Sequence, residues 1–236
     1  MGLTKVSAAV DPNFQIYLCF GQSNMEGNAA IEDIDRTGVN PRFMAMYAVD
    51  DEKAGWKKGQ WHTAVPPQAR PDTGLTPVDY FGRKMVDNLP DSIKVGTITV
   101  AVGGASIDLF DKRTCKAYLK KQPDWMKNFA SQYNGNPYAR LIELAKIAQK
   151  QGVIKGILLH QGETNNGDAN WPNRVKTVYN DILKELHLKA EDVPLLVGET
   201  VQKDQGGSCW QHIAIVDDIA KTIPTAHVIS SKGCPQ

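Results

Sequence analysis

Three short polar stretches of this 236-residue chain bring together residue types suited to acyl chemistry. The first is Phe20-Gly21-Gln22-Ser23-Asn24-Met25-Glu26-Gly27. A serine that directly follows an apolar run, between glycines, can be held exposed in a tight turn. Backbone N–H groups then lie beside its hydroxyl, as a nucleophile requires. The same serine would serve equally as an N-cap or turn residue closing a strand. The second stretch is Ala101-Val102-Gly103-Gly104-Ala105-Ser106. Paired glycines let a backbone approach a ligand and donate an N–H to a developing oxyanion, although a plain strand-to-loop turn also uses them. The third is His160-Gln161-Gly162-Glu163-Thr164-Asn165. Gln161 can donate a side-chain N–H to an oxyanion. Glu163 can orient a histidine or accept from a sugar hydroxyl. A surface loop with turn-forming Gly and Asn is the alternative use of these residues.

Each stretch ends a β-rich run. The runs are 14–20, 43–47, 95–102, 154–160, 195–198 and 227–230, and they lack strict polar alternation. Continuous apolar runs of this length predict strands covered on both faces, as in a parallel sheet. Helical patterns lie between them. Thr76-Pro77-Val78-Asp79 predicts an N-cap, a first-turn proline and an acidic third position, opening a helix to about Asn88. Asn136-Pro137 opens a second, ending near Gly152. Pro172 opens a third, with Val175, Val178, Tyr179, Ile182, Leu183 and Leu186 on one face. A fourth is predicted from about Cys209 to Lys221. The segments 50–76 and 110–135 show no periodicity and read as long loops. Their Trp56, Trp61, Trp125 and Tyr133 offer flat faces for sugar rings or for packing under the loops. Alternating strands and helices predict one doubly wound domain over 1–236, with functional residues at the carboxyl ends of strands.

Composition excludes several partners. With 27 Lys+Arg against 26 Asp+Glu, the net charge is +1. Nothing electrostatic then favours nucleic acid or an anionic membrane. No apolar run approaches the roughly 18–20 residues a bilayer demands. The opening MGLTKVSAAVDPN has no apolar core of a secretory signal. Cys19, Cys115, Cys209 and Cys234 show no zinc spacing, and Cys19 reads as a buried core thiol. Cys209 and Cys234 are compatible with a disulfide or with free thiols. No dinucleotide or phosphate-binding glycine motif follows a strand.

Taken in order, GQSN, GGAS and HQGETN resemble the SGNH (GDSL-like) hydrolase superfamily. Within it the chain looks like the acetylxylan esterases of carbohydrate esterase family six and the related sialate O-acetylesterases. The likeness runs from about Phe14 to the C-terminus, and GQSNM with HQGE is its most specific part. It implies a three-layer α/β/α sandwich around a mainly parallel, flavodoxin-like sheet. Ser23 would be the nucleophile and would form an acetyl-serine intermediate. The backbone N–H groups of Ser23 and Gly104 (or Gly103), with the Gln161 side chain, would hold the oxyanion. Glu163 would assist catalysis, and Asn24, His160 and Asn165 would contact substrate. No metal or organic cofactor is implied. The implied partner is an acetylated oligo- or polysaccharide, acetylxylan first and sialic acid as the competitor, with a secreted or periplasmic location.

Ser23 also requires a general base. In the resembled family this is the histidine of an Asp-x-x-His block near the C-terminus. Gly59, Ile157, Lys184, Cys209 and Pro224 stand three residues before the five histidines, so the block is absent. The closing SSKGCPQ resembles the stretch that leads into it. The expectation is therefore a segment beyond Gln236. The alternatives are His160 acting as base, or a relative that binds acetylated glycans without hydrolysis. His62 and His187 read as loop and helix-surface residues, His212 and His227 as structural.

Overall fold

Along β1 (Phe14–Gly21), Phe14, Ile16, Leu18 and Phe20 enter one apolar cluster, and Tyr17 and Cys19 enter another. A strand buried on both faces belongs to a sheet covered by helices on both sides. The computed structural model describes residues 9–234; the start of the MGLTKVSAAVDPN stretch and the final Pro235-Gln236 lie outside the described residues. The other strands are β2 (Phe43–Met46), β3 (Trp61–Thr63), β4 (Lys94–Ala101), β5 (Val153–His160), β6 (Leu195–Gly198) and β7 (Ala226–Ile229). They form one sheet of seven strands in the order β3-β2-β4-β1-β5-β6-β7. All neighbours run parallel except β3, which pairs antiparallel with β2.

The helices are α1 (Ser23–Glu26), α2 (Asp33–Arg36), α3 (Pro77–Asn88), α4 (Cys115–Lys120), α5 (Asp124–Ser131), α6 (Pro137–Ala148), α7 (Trp171–Glu185) and α8 (Ile213–Asp217). Residues of α5, α6, α7 and α8 fill the first cluster; Met25 of α1 and Val78 and Val86 of α3 fill the second. The expected three-layer α/β/α architecture is therefore the observed one. No helix among the described residues is long and apolar enough to cross a membrane. All four cysteines are free, so no bond joins Cys209 to Cys234.

Three local expectations are corrected. Segment 50–76 contains β3, a three-residue edge strand. Such a strand is too short to show alternation. Segment 110–135 contains α4 and α5, and α5 buries only Met126 and Ala130, four residues apart. Two turns give too few repeats for a visible period. The single helix expected from Cys209 to Lys221 is instead a 3₁₀ turn (Trp210–His212), α8 and a second 3₁₀ turn (Ile219–Lys221). β-Branched Ile213, Ile215, Val216 and Ile219 weaken continuous helix there. Burial of Val216 and Ile219 in the first cluster decides the path.

The predicted start of α3 is present. The Asp79 carboxylate accepts the Thr76 N–H at 2.9 Å, and Gln68 Nε2 donates to its other oxygen at 2.8 Å. Asp79 is completely buried. Burial pushes its carboxyl up to about 6, against those two hydrogen bonds and the Arg83 charge, which favour the ionised form. A raised folded-state pKa stabilises at low pH, and that contribution is lost as pH rises through about 6. Asp79→Asn cannot ionise. Between pH 4 and pH 7, wild type should lose stability relative to Asp79→Asn, by at most about 3 kcal/mol. Urea unfolding at several pH values measures this, and a pH-independent difference would count against it.

Candidate active site

The register of the three central strands brings the polar stretches level. Gly21 pairs with Ala101 on one side and with His160 on the other. The loops that leave β1, β4 and β5 therefore share one carboxyl edge. β1 lies between the two halves of the sheet, the position where α/β sheets open a crevice. Close approach is needed here: a Cβ on Gly21 would lie 2.0 Å from the His160 carbonyl oxygen. That oxygen accepts the Gln22 N–H at 3.1 Å.

Gln22 then braces the third loop. It is buried, and its Oε1 accepts Gln161 Nε2 at 3.1 Å, the Thr164 N–H at 3.2 Å and the Gly162 N–H at 3.4 Å. Gln161 extends the network to the second loop. Its Nε2 lies 3.2 Å from the Ala105 carbonyl and 2.7 Å from Asn165 Oδ1, and its Oε1 accepts the Trp171 indole N–H. Asn165 Oδ1 also accepts the Ile107 N–H, at 3.0 Å. Thr164 Oγ1 donates to the Gly104 carbonyl at 2.9 Å.

Ser23 opens α1 directly after this brace and is partly exposed. Its hydroxyl makes no hydrogen bond among the described residues, and the backbone N–H groups of Ser23, Gly103 and Gly104 donate to no protein acceptor there. Gly103 faces Ser23: a Cβ on it would stand 3.8 Å from Ser23 Cβ and 2.7 Å from Glu26 Oε2. Gly104 has φ +69°, a conformation that favours glycine. A hydroxyl beside backbone donors with free valence is an arrangement able to receive and stabilise a tetrahedral oxyanion.

The remaining expected site residues are close by but differently engaged. Gln161 is 1% exposed, and its two N–H groups already meet three acceptors. It braces the loops and has no N–H left to offer an oxyanion. Asn24 Nδ2 donates to Glu163 Oε1 at 2.7 Å. His160 is turned towards β6. Its Nε2 donates to the Glu199 carbonyl at 3.1 Å, and a Cβ on Gly198 would meet its Cδ2 at 2.7 Å. Its Nδ1 stands 3.7 Å from Glu163 Oε1. That commitment removes His160 from the position of a base on Ser23. His212 is fully buried, edge-on to Trp171 at 4.7 Å, with neither ring nitrogen hydrogen-bonded. Burial holds its pKa below the ordinary value, against the charges of Glu163 and Asp168. His62 stacks on Tyr47 at 3.9 Å on the sheet edge. Among the described residues, no group of three or more His, Cys, Asp or Glu is placed to hold a metal ion.

Several supporting residues carry no sequence signal of their own. Arg70, from the aperiodic 50–76 segment, reaches under the site with 1% exposure. Its Nη2 pairs with Glu26 at 2.5 Å, its Nη1 donates to the Ala101 carbonyl at 2.9 Å, and its guanidinium lies 4.8 Å from the Phe129 ring centre. Glu199 ends β6. Its carboxylate accepts from Gln202 Nε2 at 2.7 Å, the Ser231 N–H at 2.8 Å and Ser230 Oγ at 3.1 Å. Burial would raise its pKa, but hydrogen bonds from the Ser231 N–H, Asp217 and the Ser230 and Ser231 hydroxyls bring it below the ordinary carboxylate value. Arg70 and Glu199 are both engaged by chain-distant partners, Ala101 and Glu26 for the first and Ser230 and Ser231 for the second.

A sequence model of the family described as carbohydrate esterase, sialic acid-specific acetylesterase matches residues 13–236. An Arabidopsis thaliana protein of known X-ray structure is similar with TM-score 0.67 and 18% identity, covering 96% of this chain and 88% of that one. NanS is similar with TM-score 0.63 and 16% identity, over 96% of this chain and 81% of its own. XAC1771, described as a novel carbohydrate acetylesterase from Xanthomonas citri, has TM-score 0.59 and 20% identity. That likeness covers 94% of this chain and 51% of XAC1771. At these identities the three structures speak for the fold.

The Arg70–Glu26 pair predicts a stability cost. Arg70→Met would leave Glu26 buried and uncompensated, lowering the unfolding free energy by about 3 kcal/mol. The double variant Glu26→Gln with Arg70→Met should recover part of that loss. Denaturant unfolding of the set checks it, and additive losses would remove the coupling.

Proposed function

We propose the reaction of Ser23 for a chain that belongs to the carbohydrate esterase, sialic acid-specific acetylesterase family. Ser23 Oγ attacks the carbonyl carbon of an O-acetyl ester on a sugar. The negative charge that develops on the carbonyl oxygen is taken up by the backbone N–H groups of Ser23 and of Gly104 or Gly103. The bond from the carbonyl carbon to the sugar oxygen then breaks, that oxygen takes the proton given up by Ser23 and leaves as a hydroxyl, and water releases acetate from acetyl-serine. The observation that carries this reading is the partly exposed Ser23 hydroxyl beside unpaired backbone donors. Each such donor is worth about 100- to 1,000-fold in rate.

Glu163 positions Asn24 beside the nucleophile through their 2.7 Å hydrogen bond. Gln161 acts through the loop brace and not as an oxyanion donor. No histidine among the described residues hydrogen-bonds the Ser23 hydroxyl, and none of them is assigned as its base. The substrate is an O-acetylated sialic acid, the class that the family description names. Acetylated xylan is the competitor.

Ser23→Ala should lower acetate release from O-acetylated sialic acid by at least about 1,000-fold. Acetylated xylo-oligosaccharide and p-nitrophenyl acetate, assayed beside it, report substrate class. Undiminished hydrolysis by Ser23→Ala would overturn the nucleophile. Sugar binding without acetate release by the unsubstituted chain would favour a non-hydrolytic binding protein.

A further inference from the structure

We propose that Trp125 is the wall on which the sugar ring rests while its acetyl group reaches Ser23. This deepens the esterase reading and rests on it. Trp125 lies on α5 and is 48% exposed. Its indole edge covers Gly104: a Cβ there would meet Trp125 Cη2 at 2.8 Å. The neighbouring glycine faces the nucleophile, since a Cβ on Gly103 would lie 3.8 Å from Ser23 Cβ. One residue step, about 3.8 Å between Cα atoms, thus separates the glycine under the indole from the glycine beside Ser23. A pyranose lying against the indole has its ring substituents within reach of the hydroxyl.

The indole is held but not covered. Phe129 meets it edge-on at 5.9 Å between centres, and the Trp125 indole N–H donates to no acceptor among the described residues. A flat aromatic face with a polar edge suits a sugar, which presents C–H groups on one face and hydroxyls around its rim. No other tryptophan fits the role. Trp210 is 37% exposed, but Lys203 Nζ sits over its ring at 4.7 Å. Trp171 is buried, Trp61 packs on Phe14, and Trp56 stacks on Tyr47. The ligand class is a pyranose with an exposed C–H face that carries an O-acetyl group.

The test compares wild type, Trp125→Ala and Trp125→Phe on O-acetylated sialic acid, acetylated xylo-oligosaccharide and ethyl acetate. For Trp125→Ala, KM for the acetylated sugar should rise about tenfold, with a smaller fall in kcat. The ratio of kcat/KM for sugar over ethyl acetate should drop by about the same factor, and Trp125→Phe should restore most of it. An unchanged ratio would overturn the wall, including the case where both activities fall together because Gly104 has lost its cover. Should Trp125→Ala not fold, Trp125→Leu keeps the cover without the flat face and carries the same comparison. Calorimetric titration of the sugars into Ser23→Ala, with and without the Trp125 substitution, reads binding independently of turnover. Weaker binding without the indole supports the wall. Equal binding, or none to either protein, overturns it. Wild type that hydrolyses ethyl acetate but no acetylated sugar would count against the carbohydrate reading and leaves the binding comparison to decide Trp125.

Discussion

Two buried glutamines tie the candidate site together. Gln22 accepts hydrogen bonds from the third loop, and Gln161 passes the network on to the second. A buried amide left without its partners costs about 1–3 kcal/mol per group, so none of the three loops can shift without breaking bonds to the others. This constraint holds Ser23 against Gly103. The register of β4, β1 and β5 makes the brace possible, because it sets Gly21, Ala101 and His160 side by side.

A second brace acts from below. Arg70 joins Glu26 of α1 to the last carbonyl of β4, and Phe129 of α5 covers the guanidinium. The same helix presents Trp125 above Gly104. The floor and the rim of the site therefore belong to one packing unit. Thr76 Oγ1 adds to it by donating to the Met25 carbonyl at 2.8 Å, which ties the start of α3 to the end of α1. Beneath the site the Arg70 guanidinium is buried against the Glu26 carboxylate.

Much of the fold is legible in the order of the residues. The apolar runs mark six of the seven strands to within a residue or two, and the Thr76-Pro77 and Asn136-Pro137 signals open α3 and α6 where predicted. Alternation and capping are local, so sequence carries them. The short elements are not legible. β3 has too few residues for a period, and the 209–221 segment follows burial of Val216 and Ile219 against weak local propensity. The fate of Gln161 and His160 is equally hidden. Both have the chemistry their motif suggests, but the partners that engage them, Gln22, Ala105 and Glu199, come from other strands and loops.

Periodicity, turn residues and caps act over a few neighbours. For that reason the chain alone specifies the sheet, its principal helices and the three polar stretches that meet at its carboxyl edge. Which of those polar groups are free is settled by packing in three dimensions. Hydrogen-bond capacity is spent on whichever donor or acceptor lies nearest in space, and for Gln161, His160 and Arg70 that neighbour lies elsewhere in the fold. Trp125 follows the same rule, since Gly104 beneath it comes from another loop.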